Sequence, residues 1–118
     1  MYISEAIKIS ILTSTKKKLG IEEEYELFDL DIIDLINTAF SVMNQMGIGP
    51  TELFQIEDKN SKWEDFSDNA SIVSMAKSYV PMKVKMLWDA PENSSVSESY
   101  NEEIEALEWR MYTLAGQY

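Results

Sequence analysis

Residues 29–50, DLDIIDLINTAFSVMNQMGIGP, contain the apolar pattern that decides the fold. At about 100° per residue, the apolar side chains of this stretch cover roughly half of the circumference of a helix. They are Ile32, Ile33, Leu35, Ile36, Ala39, Phe40, Val42, Met43 and Met46. A helix with such a broad apolar surface needs more than one neighbour to cover it. We therefore predict that this stretch is the central element of a helical core.

Both ends of this helix carry sequence signals. Asp29 or Asp31 suits the start, where a carboxylate accepts hydrogen bonds from free backbone N–H groups and meets the positive end of the helix dipole. Gly47 suits the left-handed residue that follows a helix, and Pro50 prevents continuation. The pattern predicts one helix that ends at the GIGP turn.

Apolar periodicity predicts three further helices, over residues 3–19, 69–88 and 97–115. The first ends in the lysine triplet 16–18, which we interpret as a solvated last turn in preference to a phosphate-binding patch. Pro81 falls on the more polar side of the third helix, where it is expected to kink or divide the helix.

Two connecting segments complete the predicted fold. Residues 21–28, IEEEYELF, form an acidic connector. In residues 48–68, Phe54-Gln-Ile56 and Lys62-Trp63 flank the polar sequence EDKNS, a pattern that predicts a short β-hairpin or a structured loop. The expected fold class is mainly α: a single domain over residues 1–118 with about four helices, and the hairpin or loop between helices 2 and 3.

The last two helices carry more apolar surface than one small domain needs. The third helix has one stripe formed by Val73, Ala76, Val80, Val84 and Leu87, and a second formed by Met75, Tyr79, Met82 and Met86. The seam of the last helix is Tyr100, Ile104, Leu107, Met111 and Leu114. Trp109 lies roughly opposite that seam. The second stripe could cover another helix of the chain or a second subunit.

This surplus predicts residues that contact another subunit or partner. They are Trp63, Met75, Tyr79, Met82, Met86 and Trp109. A tryptophan on the polar side of an amphipathic helix, or in a loop, is a candidate for such a contact because its large apolar surface favours burial.

The composition excludes several classes of function. The net charge is −11, from 21 acidic and 10 basic residues, which opposes direct binding to a nucleic-acid backbone. The chain has no cysteine and no histidine, so disulfides, thiolate chemistry and the usual general base are excluded. Exposed helix carboxylates are common, so the group Asp29, Asp31 and Asp34 is not assigned a metal. We predict no catalytic site, no cofactor and no metal.

No apolar run approaches the roughly 18 residues needed to span a membrane. The N-terminal sequence MYISEAIKIS lacks the order of charged and apolar residues found in a signal peptide. The expected location is therefore the cytoplasm or an assembled particle.

Several segments, taken in order, resemble the small head–tail connector proteins of long-tailed bacteriophages, also called adaptor or head-completion proteins. They are ILTSTKKKLGI at 11–21, FDLDIIDLINTAFSVMNQMGIGP at 28–50, WEDF at 63–66, SYVPMKVKMLWDAP at 78–91 and IEALEWRM at 104–111. The most distinctive pieces are the GIGP turn, and the helix that ends in WDAP and is followed by a helix with EWR. Pro81 departs from the family pattern.

The resemblance implies a mostly helical adaptor that forms a dodecameric ring beneath the portal and can remain monomeric until the portal nucleates the ring. Such a ring lengthens the DNA exit channel and offers a platform to the next head-completion or tail protein. DNA passes through without specific binding, to which an acidic channel is suited. The implied location is the head–tail junction of the virion, after assembly in the host cytoplasm.

Two alternatives remain open at the level of the sequence. An acidic DNA mimic, or another small inhibitor of a host or phage protein, would explain the charge. It predicts carboxylates in duplex-like rows, whereas the acidic residues here lie in three separate groups. The other alternative is a helical scaffolding or regulatory module with no phage role.

Overall fold

Four helices make up most of the chain in a computed structural model, which describes residues 9–89 and 92–116. Helix α1 spans Ile11–Leu19, α2 spans Asp29–Gln45, α3 spans Ala70–Trp88 and α4 spans Ser94–Gly116. A short 3₁₀ helix, Trp63–Asp65, lies between α2 and α3. The mainly helical fold is as predicted. None of the helices in the described residues is long and apolar enough to cross a bilayer.

Helix α1 starts later than the sequence pattern suggested. Ser10 has an extended backbone, with φ −64° and ψ 134°, and its hydroxyl accepts a hydrogen bond of 3.1 Å from the N–H of Thr13. Ser10 also forms an isolated antiparallel bridge with Lys62. A residue that caps the helix in this conformation cannot also continue it. The predicted helix is therefore wrong at residues 9 and 10, and its first part, residues 3–8, lies outside the described residues.

The segment between α2 and α3 is a structured loop, and its described residues form no β-hairpin. The side chain of Asn37 on α2 holds this loop through the backbone of Ile56, donating to its carbonyl at 3.0 Å and accepting from its N–H at 2.8 Å. The rings of Phe54 and Phe66 then pack on Phe40, with centroids 4.9 Å and 4.8 Å away. Side-chain contacts to α2, together with the single bridge between Lys62 and Ser10, thus order the loop without a hairpin.

The helix with the widest set of neighbours is α3, which packs against α1, α2, α4 and the 3₁₀ helix. Helix α2 packs against α1 and α3. The apolar surface of α2 is buried as predicted at Ile32, Ile33, Ile36, Ala39, Phe40 and Met43. The sequence predicted α2 as the central element of the core. That prediction is corrected, because α3 contacts each of the other three helices, whereas α2 packs mainly against two of them.

Pro81 is buried, and α3 continues through it as a single element. The prediction that Pro81 lies on a polar side is therefore wrong, and its apolar ring lies on the side of α3 that faces α1. Two ends of the predicted apolar stripes are also exposed: Leu87 is 49% exposed and Leu114 is 53% exposed. Both lie near the end of a helix, where fewer neighbouring elements are available to cover them.

The lysines at the end of α1 do not share one environment. Lys16 is only 2% exposed, whereas the other two are on the surface. Its Nζ donates to the carbonyl oxygens of Glu23 at 2.9 Å and Tyr25 at 2.7 Å, and lies 2.8 Å from Oδ1 of Asp29. The acidic connector 21–28 therefore folds around this ammonium group. The interpretation of the triplet as solvated is wrong for Lys16.

Gly49 provides a test of the loop packing. Its φ is +94°, and an added Cβ would overlap the ring of Phe66, lying 2.7 Å from Cε1. Both the left-handed backbone conformation and this overlap disfavour any residue with a Cβ at position 49. We expect Gly49→Ala to lower the free energy of unfolding by about 2 kcal/mol, as measured by chemical denaturation.

The matched control is Gly20→Ala. Gly20 also has a positive φ, +79°, but nothing lies within 4 Å of an added Cβ. Only the backbone cost of about 1 kcal/mol is then expected. Equal losses in the two variants would show that the contact between Gly49 and Phe66 does not constrain the loop.

Candidate assembly surface

Helix α4 is fixed at its start and along one side. The Oδ1 of Asn93 accepts hydrogen bonds from the N–H groups of Ser95 at 2.9 Å and Val96 at 3.3 Å, which caps the helix. Further along, Ile104 and Met111 are buried in the common core, and α4 packs against α3. The predicted seam therefore contacts the rest of the subunit.

A polar cluster sets the rotation of α4 on α3. The hydroxyl of Tyr79 donates to Oε2 of Glu108 at 2.7 Å, and Nζ of Lys83 lies 3.4 Å from the same oxygen. Burial raises the pKa of Tyr79, and the hydrogen bond and charge of Glu108 raise it further, so the hydroxyl keeps its proton and remains a donor. Because Glu108 is held toward α3, the next residue, Trp109, is directed about 100° further around the helix.

The side of α4 away from the core carries exposed aromatic residues. Trp109 is 67% exposed and Tyr112, about one turn later, is 70% exposed. We define the α4 outer face as Glu102, Glu105, Ala106, Trp109, Tyr112 and Thr113, which are all exposed. Large aromatic side chains that are left in solvent together are typical of surfaces that bind other proteins.

The residues predicted as contacts do not form one surface. Trp63 is 2% exposed, and its indole Nε1 donates to Oγ of Ser14 at 2.8 Å. Tyr79 is fully buried at the junction of α3 and α4. Both side chains belong to the interior of the subunit, although Trp63 also forms part of the lining of the cleft between α1 and α3. Neither side chain is therefore an exposed anchor of the kind predicted from the sequence.

The remaining predicted residues are available to different degrees. Met75, Met82 and Met86 are partly buried along α3 and pack against the core. Trp109 is the most exposed of the predicted set. Sequence reasoning missed Tyr112, although its spacing of three residues from Trp109 places both on one side of a helix.

A cleft of about 430 Å³ lies between α1 and α3. We call it the α1–α3 cleft. Its walls include Ile9, Lys18, Lys77, Ser78, Pro81 and Met82. It combines apolar side chains with two lysines in a chain whose net charge is −11. The sequence did not predict this cleft, because its residues come from separate parts of the chain.

Residues 9–89 and 92–116 contain no group of three or more histidine, cysteine, aspartate or glutamate side chains arranged to hold a metal ion. Asp29, one of the three carboxylates considered from the sequence, lies 2.8 Å from the ammonium group of Lys16.

The chain was compared with models of known protein families. A family model described as phage connector protein matches residues 11–117, a range that includes all four helices. No curated protein matches the chain, and no solved structure matches it.

Proposed function

Because the chain belongs to the phage connector protein family, we propose that its subunits assemble as a ring beneath the portal. The protein is then a structural component of the virion at the head–tail junction, assembled in the host cytoplasm. The ring lengthens the DNA exit channel and presents a platform to the next head-completion or tail protein. Its partners are further copies of the chain, in a dodecamer, together with the portal and that next protein.

The observation that carries the proposal is the α4 outer face. One side of α4 is packed on α3, and the other leaves Trp109 and Tyr112 mostly in solvent. In a subunit that stays monomeric, two adjacent exposed aromatic side chains keep a large apolar area in contact with water. Burying that area in a contact with another protein is energetically favourable. A subunit that assembles covers them.

The charge of the chain fits the same role. A surplus of carboxylates repels DNA phosphates, so a ring of such subunits would let DNA move without being retained. We assign no catalytic step to the protein, because the chain contains no histidine or cysteine and its role in the family is structural.

Trp109→Glu is expected to prevent incorporation into the portal complex while leaving the fold intact. The substitution places a charge where the proposed contact needs an apolar surface, and an exposed position tolerates it in the free subunit. Loss of one central aromatic contact costs about 2 kcal/mol or more, which corresponds to roughly 30-fold weaker association. Co-sedimentation with purified portal measures it, after circular dichroism has shown that the helices are retained.

The matched control is Asn101→Glu, which adds the same charge to the same helix at an exposed position outside the outer face. It should co-sediment like the wild type. If folded Trp109→Glu also associated with the portal as well as the wild type, Trp109 would not be an assembly contact.

A further inference from the structure

We infer that the α4 outer face of one subunit binds in the α1–α3 cleft of the neighbouring subunit. This inference rests on the proposed function, because it names the two surfaces that join subunits in the ring. The contact is heterologous, since two different surfaces of the same chain meet. Contacts of this kind form closed rings when the rotation between subunits closes.

The two surfaces are placed correctly for such a contact. Helix α4 is held to α3 through Tyr79 and Lys83, whereas the cleft uses Lys77 and Pro81 of the same helix. At about 100° per residue, these two pairs point roughly 160° apart around α3. The α4 outer face and the cleft thus flank α3 on nearly opposite sides, so that one subunit can contact a neighbour on each side.

The apolar parts of the two surfaces match. The apolar lining of the cleft consists of Ile9, which is 50% exposed, the partly buried Met82, and the buried side chains of Pro81 and Trp63. Its volume of about 430 Å³ lies within the range of roughly 300–1,000 Å³ for pockets that enclose compact ligands. Rigid aromatic residues such as Trp109 and Tyr112 are the side chains that usually fill such pockets at protein interfaces. A methionine wall can adapt to their shape.

The charges match as well. Lys18 and Lys77 lie at the cleft, and Glu102 and Glu105 precede Trp109 on the α4 outer face. Nζ of Lys77 forms a long ion pair with Oε2 of Glu64, at 3.9 Å, so Lys18 is the cleft lysine on which the charge argument mainly depends. In an acidic protein, lysines beside an apolar cleft favour a partner that brings both carboxylates and aromatic rings. A second copy of this chain meets both requirements.

Crosslinking tests the contact directly, because the chain has no cysteine and each introduced thiol is unique. One chain carries Ser78→Cys in the cleft, and another carries Thr113→Cys on the α4 outer face. The two are mixed on purified portal and treated with a short bismaleimide. We expect a crosslinked dimer that contains one copy of each chain. Replacing Thr113→Cys by Thr38→Cys, at an exposed position on α2, is expected to abolish that product.

Charge reversal provides a second readout. Lys18→Glu in the cleft-bearing chain should lower the yield of the crosslink about fivefold, the effect of losing roughly 1 kcal/mol at an exposed ion pair. Glu105→Lys in the other chain should restore the yield, since the pair then has opposite charges again. Lys59→Glu, at an exposed lysine that does not line the cleft, should leave the yield unchanged.

The outcomes separate this inference from the proposed function. Rings that form on the portal without the crosslink between positions 78 and 113 would overturn the contact and leave the proposed function standing. Failure of the wild-type chain to bind the portal would overturn both. If the thiol at position 78 were protected in the free monomer, and exposed once residues 1–8 were removed, the cleft would belong to the chain's own N-terminal residues and the inference would be wrong.

Discussion

Replacement of Phe40 by alanine is expected to lower the free energy of unfolding by about 3–5 kcal/mol. Phe40 is 1% exposed, and its ring centroid lies 4.9 Å from that of Phe54, 4.8 Å from that of Phe66 and 6.3 Å from that of Trp63. Removal of the ring leaves a cavity where α2 meets the loop that follows it. The aromatic side chains of that loop would also lose their common contact.

Chemical denaturation followed by circular dichroism measures this loss. Leu30→Ala is the matched control, because Leu30 is an apolar residue of the same helix that is 75% exposed. Its effect should be within about 0.5 kcal/mol of zero. A loss below about 1 kcal/mol for Phe40→Ala would contradict the packing described here.

Lys16→Met is expected to destabilise the protein by about 3 kcal/mol, since it removes the buried partner of an ion pair whose carboxylate, on Asp29, is partly exposed. Methionine keeps a similar length but has no donor. Two backbone carbonyls, those of Glu23 and Tyr25, would lose a charged hydrogen-bond donor, and the carboxylate of Asp29 would lose its counter-charge.

The adjacent exposed lysine provides the comparison. Lys17→Met changes the same chemical groups at the surface and should alter the free energy of unfolding by less than about 0.5 kcal/mol. Hydrogen exchange should show faster opening of residues 21–28 in Lys16→Met than in Lys17→Met. Equal stability of the two variants would show that the ammonium group does not hold the connector.

The sequence predicts the helices well where the signal is local. The apolar surface of α2 and its end at Gly47, which has φ 83°, follow from periodicity and from one residue's backbone preference. The start of α1 could not be predicted in this way. It lies at Ser10, which caps the helix and whose extended backbone pairs with Lys62, far away in the sequence.

The same distinction applies to the side chains. Trp109 lies on a regular helix, so a helical wheel correctly placed it opposite the seam. Trp63 lies in a loop without periodicity, and its burial depends on a hydrogen bond to Ser14, which is 49 residues away. Lys16 is one of three consecutive lysines, so the local sequence does not single it out. It is buried because the connector folds over its ammonium group. Long-range contacts therefore decide these positions.

Electron cryo-microscopy of purified portal incubated with this protein tests the proposed ring most directly. The proposal predicts a closed layer of subunits beneath the portal, coaxial with the DNA channel, in which the α4 outer face of each subunit is covered by its neighbour. Portals that stay bare at saturating protein concentration, or that bind isolated copies with Trp109 in solvent, would contradict it.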